Sequence, residues 1–249
     1  MKIKPGIILI AMAGRSDRFF QAGYTLPKYE LKVADQSLFS LSVKSFAHFF
    51  GSHHFVFVTR KEFQPDSFVT KECRKLGIKS FRIHELQVDT LGQAESVFEG
   101  IKTISADQQS LTIFNIDTIK KNFSFPSNLS EIDGYLEVFQ GEGSNWSFAE
   151  CLPNTKRVVR TAEKRQISNF CSDGLYYFST IRSFTKAFNQ AVAESESFLK
   201  EWKEFYVAPL YNYMIREGAI IQINLVPRSD IIFSGTPDEY LDLVKSWKP

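Results

Sequence analysis

The sequence has few cysteines and no long hydrophobic run, and each scarcity excludes a class of protein. Its three cysteines, Cys73, Cys151 and Cys171, are widely separated and odd in number. Such a set argues against a disulfide framework and suits a reducing compartment. The apolar run near the first residues is too short to cross a membrane, and no later segment approaches that length. We therefore expect a cytoplasmic protein that binds no membrane.

The chain also lacks an excess of charge of either sign. Its formal net charge is +2, from 30 Lys and Arg residues against 28 Asp and Glu residues. A nearly neutral molecule has no overall field to attract nucleic acid, so any anion site must be local. No Cys/His spacing suits zinc, and neither a Gly-x-Ser-x-Gly motif nor a P-loop lysine is present. These absences exclude a zinc site and the commonest hydrolase and kinase classes.

The order of apolar segments is typical of an α/β protein. Short apolar runs first alternate with segments of helical periodicity, which indicates βαβ crossovers and a mostly parallel sheet. After residue 117 the strand-like runs come at shorter spacings, which indicates an antiparallel extension. The predicted strands span 7–12, 55–59, 79–84, 111–117, 134–140, 146–151, 157–163, 174–180 and 219–227. The predicted helices span 38–50, 65–76, 92–104, 182–192, 202–218 and 237–247.

This pattern predicts a Rossmann-like α/β fold, with a mixed, mostly parallel central sheet flanked by helices, an antiparallel β extension and C-terminal helices. In such sheets ligands lie at the carboxyl ends of the parallel strands, and the loop after the first strand commonly holds phosphate. Here Gly14 permits a sharp turn, and the planar guanidinium of Arg18 can hold two phosphate oxygens. Lys28, behind Pro27, supplies a compact charge. A solvated surface position is the alternative for any one of these cations, and the predicted phosphate loop comprises Ala13, Gly14, Arg15 and Ser16.

Several segments resemble, in the same order, the motifs of the sugar-phosphate nucleotidyltransferases, a family of nucleoside-diphosphate-sugar pyrophosphorylases. The segments are AGRSDRF, PK, NID, AEK, GLYYF and GTPDEYL. WSFAE, the Ile-Ser pair at 167–168 and FYVAPLYNYMIREG are similar to the branch found in capsular and surface polysaccharide biosynthesis. The resemblance covers nearly the whole chain and implies a GT-A-like fold. It also implies one nucleotidyltransferase domain over 1–249, in which 1–120 bind the nucleotide and 121–249 bind the acceptor and supply the C-terminal helices.

The resemblance implies roles for several residues around a nucleoside triphosphate. Arg18 would hold its β and γ phosphates, and Lys28 would neutralise the α phosphate that is attacked. Asp117 is similar to the family's magnesium ligand, and Mg²⁺ is the implied cofactor because it prefers carboxylate and phosphate oxygens. A turn or capping aspartate is the alternative for Asp117. Gly92 and Gln93 are the candidates for binding the base, and an exposed first-turn position is the alternative for Gln93.

The acceptor side is implied by three further segments. Lys164 would hold the acceptor's phosphate and Glu163 its hydroxyl groups, unless Lys164 is a solvated lysine. Gly174 belongs to the GLYYF segment near the sugar phosphate. Tyr206 and Tyr211 flank Pro209 and are candidates for one wall of the pocket, with core packing as the alternative for both.

The sequence departs from the family pattern at two positions, one in the phosphate loop and one at the second metal ligand. Ser16 stands where the family loop usually has its second glycine. The second metal-binding aspartate often precedes the closing Gly-Thr directly, but here Ile232, Phe233 and Ser234 precede Gly235, so Asp230 is the candidate for that ligand.

The resulting hypothesis is an enzyme that transfers a nucleoside monophosphate from a nucleoside triphosphate to a sugar 1-phosphate and releases pyrophosphate, for surface polysaccharide precursors. One alternative is a cytidylyltransferase with a non-sugar phosphorylated acceptor. Another is a nucleotide-binding homologue impaired in catalysis, which Ser16 and the uncertain second aspartate motivate. A glycosyltransferase ranks lower, because its Asp-x-Asp motif is absent at NIDTI. A homodimer through the C-terminal helices is left open.

Overall fold

Nine of the thirteen strands form one sheet in the computed structural model, which describes residues 4–247; residues 1–3, 248 and 249 of the predicted domain lie outside the described residues. The strands are β1 Ile7–Ala11, β2 Lys32–Val33, β3 Gln36–Ser37, β4 His54–Arg60, β5 Phe81–Leu86, β6 Leu111–Asn115, β7 Thr118–Lys120, β8 Gly134–Gln140, β9 Ser147–Cys151, β10 Val158–Glu163, β11 Phe170–Phe178, β12 Ile221–Leu225 and β13 Ile231–Phe233. The α-helices are α1 Asp17–Gln21, α2 Leu38–Val43, α3 Asp66–Leu76, α4 Gln93–Ile101, α5 Ile181–Ala193, α6 Ser195–Trp202, α7 Leu210–Arg216 and α8 Pro237–Ser246.

The sheet has a parallel core and an antiparallel extension. Strands β6, β1, β4 and β5 are parallel neighbours, and β11 pairs antiparallel with β6. Beyond β6 the sheet divides around β11: β9 and β10 continue it on the side of β11 that faces β6, while β8 pairs along the other side of β11 and carries the parallel strand β12. The predicted mixed α/β sheet with flanking helices is therefore confirmed.

Alternate residues of β1 point into two separate cores, which explains why the strand is apolar throughout. Ile7 and Leu9 pack on the face covered by α4, α5 and α7. Ile8 and Ile10 pack on the opposite face, where α2 and α3 contribute Phe39 and other apolar side chains. A strand buried on both faces fixes the position of the loop that follows it.

A small second sheet supports the carboxyl edge of the central one. Strand β7 pairs antiparallel with β13, so that Phe233 lies opposite Thr118. Helix α8 follows directly and begins with a capping box, in which Thr236 and Glu239 bond to each other's backbone amides. The GTPDEYL segment is thus a strand end joined to a helix start.

Most predicted elements are present, and the differences concern their ends. Strand β6 ends at Asn115, so Asp117 lies in the tight turn to β7 and not in the strand. The predicted helix over 38–50 ends as α2 at Val43 and continues as a 3-10 segment, Lys44–Phe49. Pro209 directly precedes α7 as its N-cap residue, so the predicted helix over 202–218 is limited to Leu210–Arg216. No helix within residues 4–247 is both long and apolar enough to cross a membrane.

Candidate active site

Two adjoining cavities lie at the carboxyl ends of the parallel strands. The first, the loop cavity, has a volume of about 530 Å³ and is lined by the loop after β1. The second, the sheet cavity, has a volume of about 440 Å³ and is lined by residues of β9, β10 and β11. Both contain Gln93, Asn115, Asp117 and Glu204. One continuous site can therefore accommodate two ligands side by side, with Asp117 at their junction.

The loop after β1 turns through a left-handed residue. Ser16 has φ 60° and ψ 20° and immediately precedes helix α1. Its hydroxyl oxygen accepts a hydrogen bond from the Lys28 amide at 3.2 Å. The left-handed region normally favours glycine, which is the residue of the family motif at this position. Ser16 thus adopts a left-handed conformation and ties the loop to Lys28.

Lys28 and Asp117 form an ion pair in the site. The Lys28 Nζ lies 2.5 Å from Asp117 Oδ2, and the two side chains are 16% and 27% exposed. Burial tends to raise the pKa of Asp117, but the Lys28 charge and hydrogen bond, with a smaller effect of Arg18, hold that pKa below its usual value. Asp117 is therefore an ionised carboxylate with a cation beside it.

The two arginines of the loop line different cavities. Arg18 is exposed and lines the sheet cavity, not the loop cavity. Arg15, with Ala13 and Gly14, lines the loop cavity. There Arg15 pairs with Asp89, which also pairs with Arg60 at the end of β4.

Gly92 and Gln93 lie where two segments of backbone meet. The Phe205 amide donates to Leu91 O at 2.7 Å, and the Ala94 amide donates to Phe205 O at 2.7 Å. A Cβ atom on Gly92, whose φ is 139°, would lie 2.6 Å from Phe205 N, so only glycine fits. Gln93 starts α4, and its Nε2 donates to Asn115 Oδ1 at 2.5 Å. Gln93 is therefore half-buried between the two cavities and is not an exposed first-turn residue.

The predicted acceptor residues converge in the sheet cavity. Lys164 has a left-handed φ of 51°, and its amide donates to Trp146 O at 2.9 Å. The Lys164 Nζ donates to the Tyr206 hydroxyl at 2.6 Å and lies 4.7 Å from the centre of that ring. The Tyr206 hydroxyl donates in turn to Glu204 Oε1 at 2.9 Å. Lys164 is exposed but oriented by these contacts.

Glu163 lines the same cavity in a more enclosed position. Burial raises the pKa of Glu163 above its usual value, although a hydrogen bond from the Ser147 hydroxyl opposes the rise. Ser147 also contacts the Tyr176 hydroxyl at 3.0 Å. Gly174 approaches Asn115 so closely that a Cβ atom would lie 2.4 Å from the amide nitrogen. By contrast, Tyr211 is fully buried and donates to Tyr135 O and Tyr177 O, so it belongs to the core.

Asp230 is not brought to this site. Asp230 directly precedes β13 and lies at the end of the β7–β13 pair that contains Lys120 and Lys121. Asp117 lies at the other end of this pair, where the Ser234 amide donates to Asp117 O at 2.9 Å. Asp230 lines neither cavity, and its carboxylate contacts Asn122 Nδ2 at 3.4 Å. The antiparallel pairing of β7 with β13 separates the two aspartates, so the prediction that they share a metal is wrong in geometry.

Several lining residues were not predicted from the sequence. Asn115 and Glu204 lie between the cavities, Trp146 and Glu239 line the sheet cavity, and Arg60 lines the loop cavity. Asn115 carried a usable signal, because it is the last residue of a buried parallel strand. Arg60 carried the same signal at the end of β4, whereas Trp146 and Glu204 lie in connecting segments and Glu239 lies on α8.

A buried charged cluster lies behind the sheet cavity. The side chains of Lys120, Glu137 and Asp173 are 2%, 2% and 0% exposed, and Lys120 pairs with both carboxylates. Asn224 Nδ2 donates to Glu137 at 2.7 Å, and the Leu175 amide donates to Asp173 at 3.1 Å. Burial, with Glu137 nearby, raises the pKa of Asp173 to about 7 despite the opposing charge of Lys120. Asp173 also lines the sheet cavity, so the cluster reaches the ligand site.

The oxygen donors of the site suit a magnesium ion that is shared with phosphate. Asp117 faces both cavities, and a Cβ atom on Gly235 would lie 2.9 Å from its Oδ2, so glycine leaves room there. Among the described residues, no group of three or more His, Cys, Asp or Glu side chains is arranged to hold a metal. Mg²⁺ commonly takes only one or two carboxylates and completes its shell with phosphate oxygens and water. Asp117 fits that role.

The chain is similar to solved structures of nucleotide-sugar enzymes. A nucleoside-diphosphate-sugar pyrophosphorylase from Vibrio cholerae RC9 is 46% identical, with a TM-score of 0.91 over 96% of this chain and 100% of that one. An inositol-1-phosphate CTP transferase from T. maritima shares the fold, with 15% identity and a TM-score of 0.72 over 98% and 97% of the two chains. A UTP-bound UGPase from Acinetobacter baumannii has 15% identity and a TM-score of 0.68 over 98% and 93%.

No family model matches the chain, and no curated protein matches it by sequence. The assignment therefore depends on the full-length similarity to the Vibrio cholerae protein, together with the ordered motifs that converge on the two cavities. This chain belongs to the nucleoside-diphosphate-sugar pyrophosphorylase family of sugar nucleotidyltransferases.

Proposed function

We propose that the protein is a magnesium-dependent nucleotidyltransferase that joins a nucleoside monophosphate to a sugar 1-phosphate and releases pyrophosphate. The observation that carries the proposal is the Lys28–Asp117 pair at the junction of the loop and sheet cavities. A cation and an anion at this junction suit a reaction that brings two phosphate groups together. The loop cavity would take the nucleoside triphosphate, and the sheet cavity would take the acceptor.

In this reaction an oxygen of the acceptor phosphate attacks the α-phosphorus of the triphosphate in line. The bond from that phosphorus to the oxygen bridging the β phosphate breaks, and pyrophosphate leaves with the electron pair. The protein must hold two polyanions together and stabilise the added negative charge. Lys28, which lines the loop cavity, would neutralise the α phosphate, and Arg15 and Arg18 would supply further cations, one from each cavity.

Asp117 would hold Mg²⁺, which supplies electrostatic stabilisation of phosphate oxygens when it is bound. Asp117 is suited to this task because it is ionised and partly exposed to both cavities. A phosphate or a metal ion that approaches it must share or open the contact with Lys28. The ion pair thus keeps both groups oriented toward the place where charge develops.

The residues around the two cavities suggest how each substrate is recognised. Gln93 has an amide that can both donate and accept on a pyrimidine edge, although Asn115 accepts one of its hydrogens. In the sheet cavity, Lys164 suits the acceptor phosphate, and Glu163 and Glu204 suit hydroxyl groups. Residues 1–120 would therefore serve mainly the nucleotide and residues 121–249 mainly the acceptor.

The direct test is release of pyrophosphate. The purified protein is incubated with Mg²⁺, each of the four nucleoside triphosphates and a panel of hexose 1-phosphates, and pyrophosphate is measured with a coupled assay. We expect release that requires one triphosphate, one acceptor and the metal together. No release with any combination would contradict the proposal.

The same experiment distinguishes the other candidates. Adding phosphorylated polyols and alcohols to the panel identifies an enzyme with a non-sugar acceptor. A nucleotide that raises the melting temperature without any pyrophosphate release would indicate a binding homologue without turnover. Ser16 does not by itself favour that homologue, because the loop still makes a left-handed turn at this position. In the main proposal the product serves cytoplasmic synthesis of surface polysaccharide precursors.

A further inference from the structure

One carboxylate connects two arginines across the loop cavity. Asp89 Oδ2 pairs with Arg15 Nη2, and Asp89 Oδ1 pairs with Arg60 Nη2. All three residues line the cavity that contains the loop after β1. Each carboxylate oxygen of Asp89 is therefore paired with a guanidinium group that lines the proposed triphosphate site.

The two arginines are held differently. Arg60 is the last residue of β4, next to β1 in the parallel core, and its side chain is only 15% exposed. Its Nε also donates to Glu62 Oε1 at 2.6 Å, which fixes the direction of the guanidinium. The Arg15 side chain is 58% exposed and comes from the loop. Arg60 is thus a fixed cation at the end of a strand, and Arg15 is a flexible one.

Asp89 lies in the segment between β5 and α4, and its surroundings allow it to leave. Its side chain is 46% exposed, and its neighbours Val88 and Leu91 are 76% and 58% exposed. Hydrogen bonds from Arg60, then from Arg15, hold the pKa of Asp89 below its usual value, so it is ionised at neutral pH. A guanidinium binds a phosphate oxygen with the same charge-assisted geometry as a carboxylate oxygen.

We propose that Asp89 is a displaceable counter-anion: a phosphate group of the bound nucleotide replaces it on Arg15 and Arg60, and Arg60 thereby becomes a further polyphosphate-binding residue. The proposal rests on the proposed function in one respect, that the loop cavity binds a nucleoside triphosphate. Competition by Asp89 lowers affinity for every anion. A ligand of higher negative charge binds the two arginines more strongly, so tripolyphosphate overcomes this penalty more readily than monophosphate.

The test is binding of inorganic tripolyphosphate and of monophosphate, which needs neither the correct base nor turnover. Titration calorimetry at low salt compares the wild type with Asp89→Asn and Arg60→Gln. We expect Asp89→Asn to bind tripolyphosphate about three- to tenfold more tightly, the range that two partly exposed ion pairs provide. Arg60→Gln should bind it several-fold more weakly, and both differences should shrink at high salt because exposed charges are screened.

A matched control removes the same charge elsewhere. Asp107 is exposed and lies before β6, at the opposite edge of the sheet from the loop cavity, where it pairs only loosely with Arg182. Asp107→Asn should leave tripolyphosphate binding unchanged. Equal tightening in both Asp variants would mean that only net charge matters and would overturn the proposal.

Weaker or unchanged binding by Asp89→Asn would also overturn it, because Asp89 would then merely position the arginines. A melting curve for each variant checks that the fold is retained. Pyrophosphate release is measured separately with the wild type. Tight tripolyphosphate binding without release would contradict the proposed function and leave the role of Asp89 standing.

Discussion

Lys28 and Asp117 are 89 positions apart in the sequence, yet their charged atoms are in contact. Burial works against the charge of Asp117, but Lys28 more than compensates and the pKa of the carboxyl is lowered. A lowered folded-state pKa contributes stability that is present above the unfolded-state pKa and is lost as the pH falls through the folded-state pKa. The carboxylate of the pair is therefore lost only in acid, and Asp117 stays ionised at neutral pH.

Replacing Lys28 with methionine removes the charge while retaining most of the side-chain length. Since a preorganised cation at a developing charge contributes most in the transition state, Lys28→Met should lower kcat by about 10²–10³-fold. Steady-state pyrophosphate release measures this loss.

Lys32→Met provides the control, because Lys32 is an exposed lysine on β2 near the same loop. Its kcat should match the wild type. A Lys28→Met enzyme with undiminished kcat would remove Lys28 from the chemistry.

Individual residues were predicted from the sequence where a motif fixed their local conformation. The two cavities are lined by four residues that could be predicted because each follows a strand end or begins a helical segment: Gly14, Lys28, Gln93 and Lys164. Asp230 was not predictable in this way, since its position depends on how β13 pairs with β7. Ser16 was predictable as a departure, but its left-handed φ was not, because non-glycine residues seldom adopt it.

The segment from β13 to α8 is the element that fixes Asp117 from outside the central sheet. The Ser234 amide and hydroxyl both donate to Asp117 O, at 2.9 and 3.1 Å. The Gly235 amide donates to Glu239 Oε2 at 2.8 Å, which ties the turn to the first turn of α8. Gly235 therefore lies between a residue that holds the Asp117 backbone and the cap of α8.

A methyl group on Gly235 tests this junction. Its Cβ would lie 2.9 Å from Asp117 Oδ2, so the carboxylate must move away from Lys28. Gly235→Ala should reduce pyrophosphate release by at least about tenfold, because misplacing a reacting group is costly, while the free energy of unfolding in urea changes little.

Gly51→Ala is the matched control, because nothing lies within 4 Å of a Cβ atom there. It should retain full activity. If Gly235→Ala is fully active, the close approach of residue 235 has no role in orienting Asp117.

Elements with strong periodicity were predicted well, and short ones were missed. Strand β1 and helix α3, closed by Gly77 with φ 78°, follow from apolar pattern and capping. Helix α1 and strands β7 and β13 have five, three and three residues, too few to show a period. Their stability comes from tertiary pairing, which a single sequence does not display.

At the scale of the whole molecule, the sheet encloses a charged cluster in which two carboxyls share one cation. The cluster of Lys120, Glu137 and Asp173 has one cation and two carboxyls, and all three are almost inaccessible to water. The pKa of Asp173 is raised to about 7, so the folded protein holds a proton that the unfolded chain releases at lower pH. This contribution to stability is fully present below the unfolded-state pKa of Asp173 and is lost as the pH rises through about 7.

Asp173→Asn should therefore make stability less sensitive to pH between 5 and 8. Urea unfolding of the two proteins at both values gives the difference directly. The wild type should lose more free energy of unfolding over this interval than the variant does.

Lys120→Met gives the complementary result, because it leaves two buried carboxyls without their cation. Lys120→Met should lower the free energy of unfolding by about 3–5 kcal/mol, as the loss of one partner of a buried ion pair does. Lys121→Met, at the exposed neighbouring position, should change the free energy of unfolding little.

The Asp173 prediction has its own contradicting outcome. Identical pH dependence of the free energy of unfolding in the wild type and Asp173→Asn would show that Asp173 does not carry the proton.

The mixed topology was predictable as a class but not in its pairing. Alternating runs indicated parallel strands up to β6, and shorter spacings indicated antiparallel ones afterwards. One side of β11 pairs with β6 and, at Cys171, with β9, whereas its other side pairs with β8 through a register shift between Ser172 and Tyr176. The buried cluster of Lys120, Glu137 and Asp173, which bridges β7, β8 and β11, could therefore not be predicted from the sequence.

The bonds from Ser234 to Asp117 have a consequence for biosynthesis. A nascent chain that has emerged from the ribosome only as far as β12 already contains every strand of the central sheet. It still lacks Ser234, whose hydrogen bonds hold the backbone carbonyl of Asp117. Such a chain can begin to fold during translation, but it cannot acquire an ordered site until β13 and α8 have also emerged.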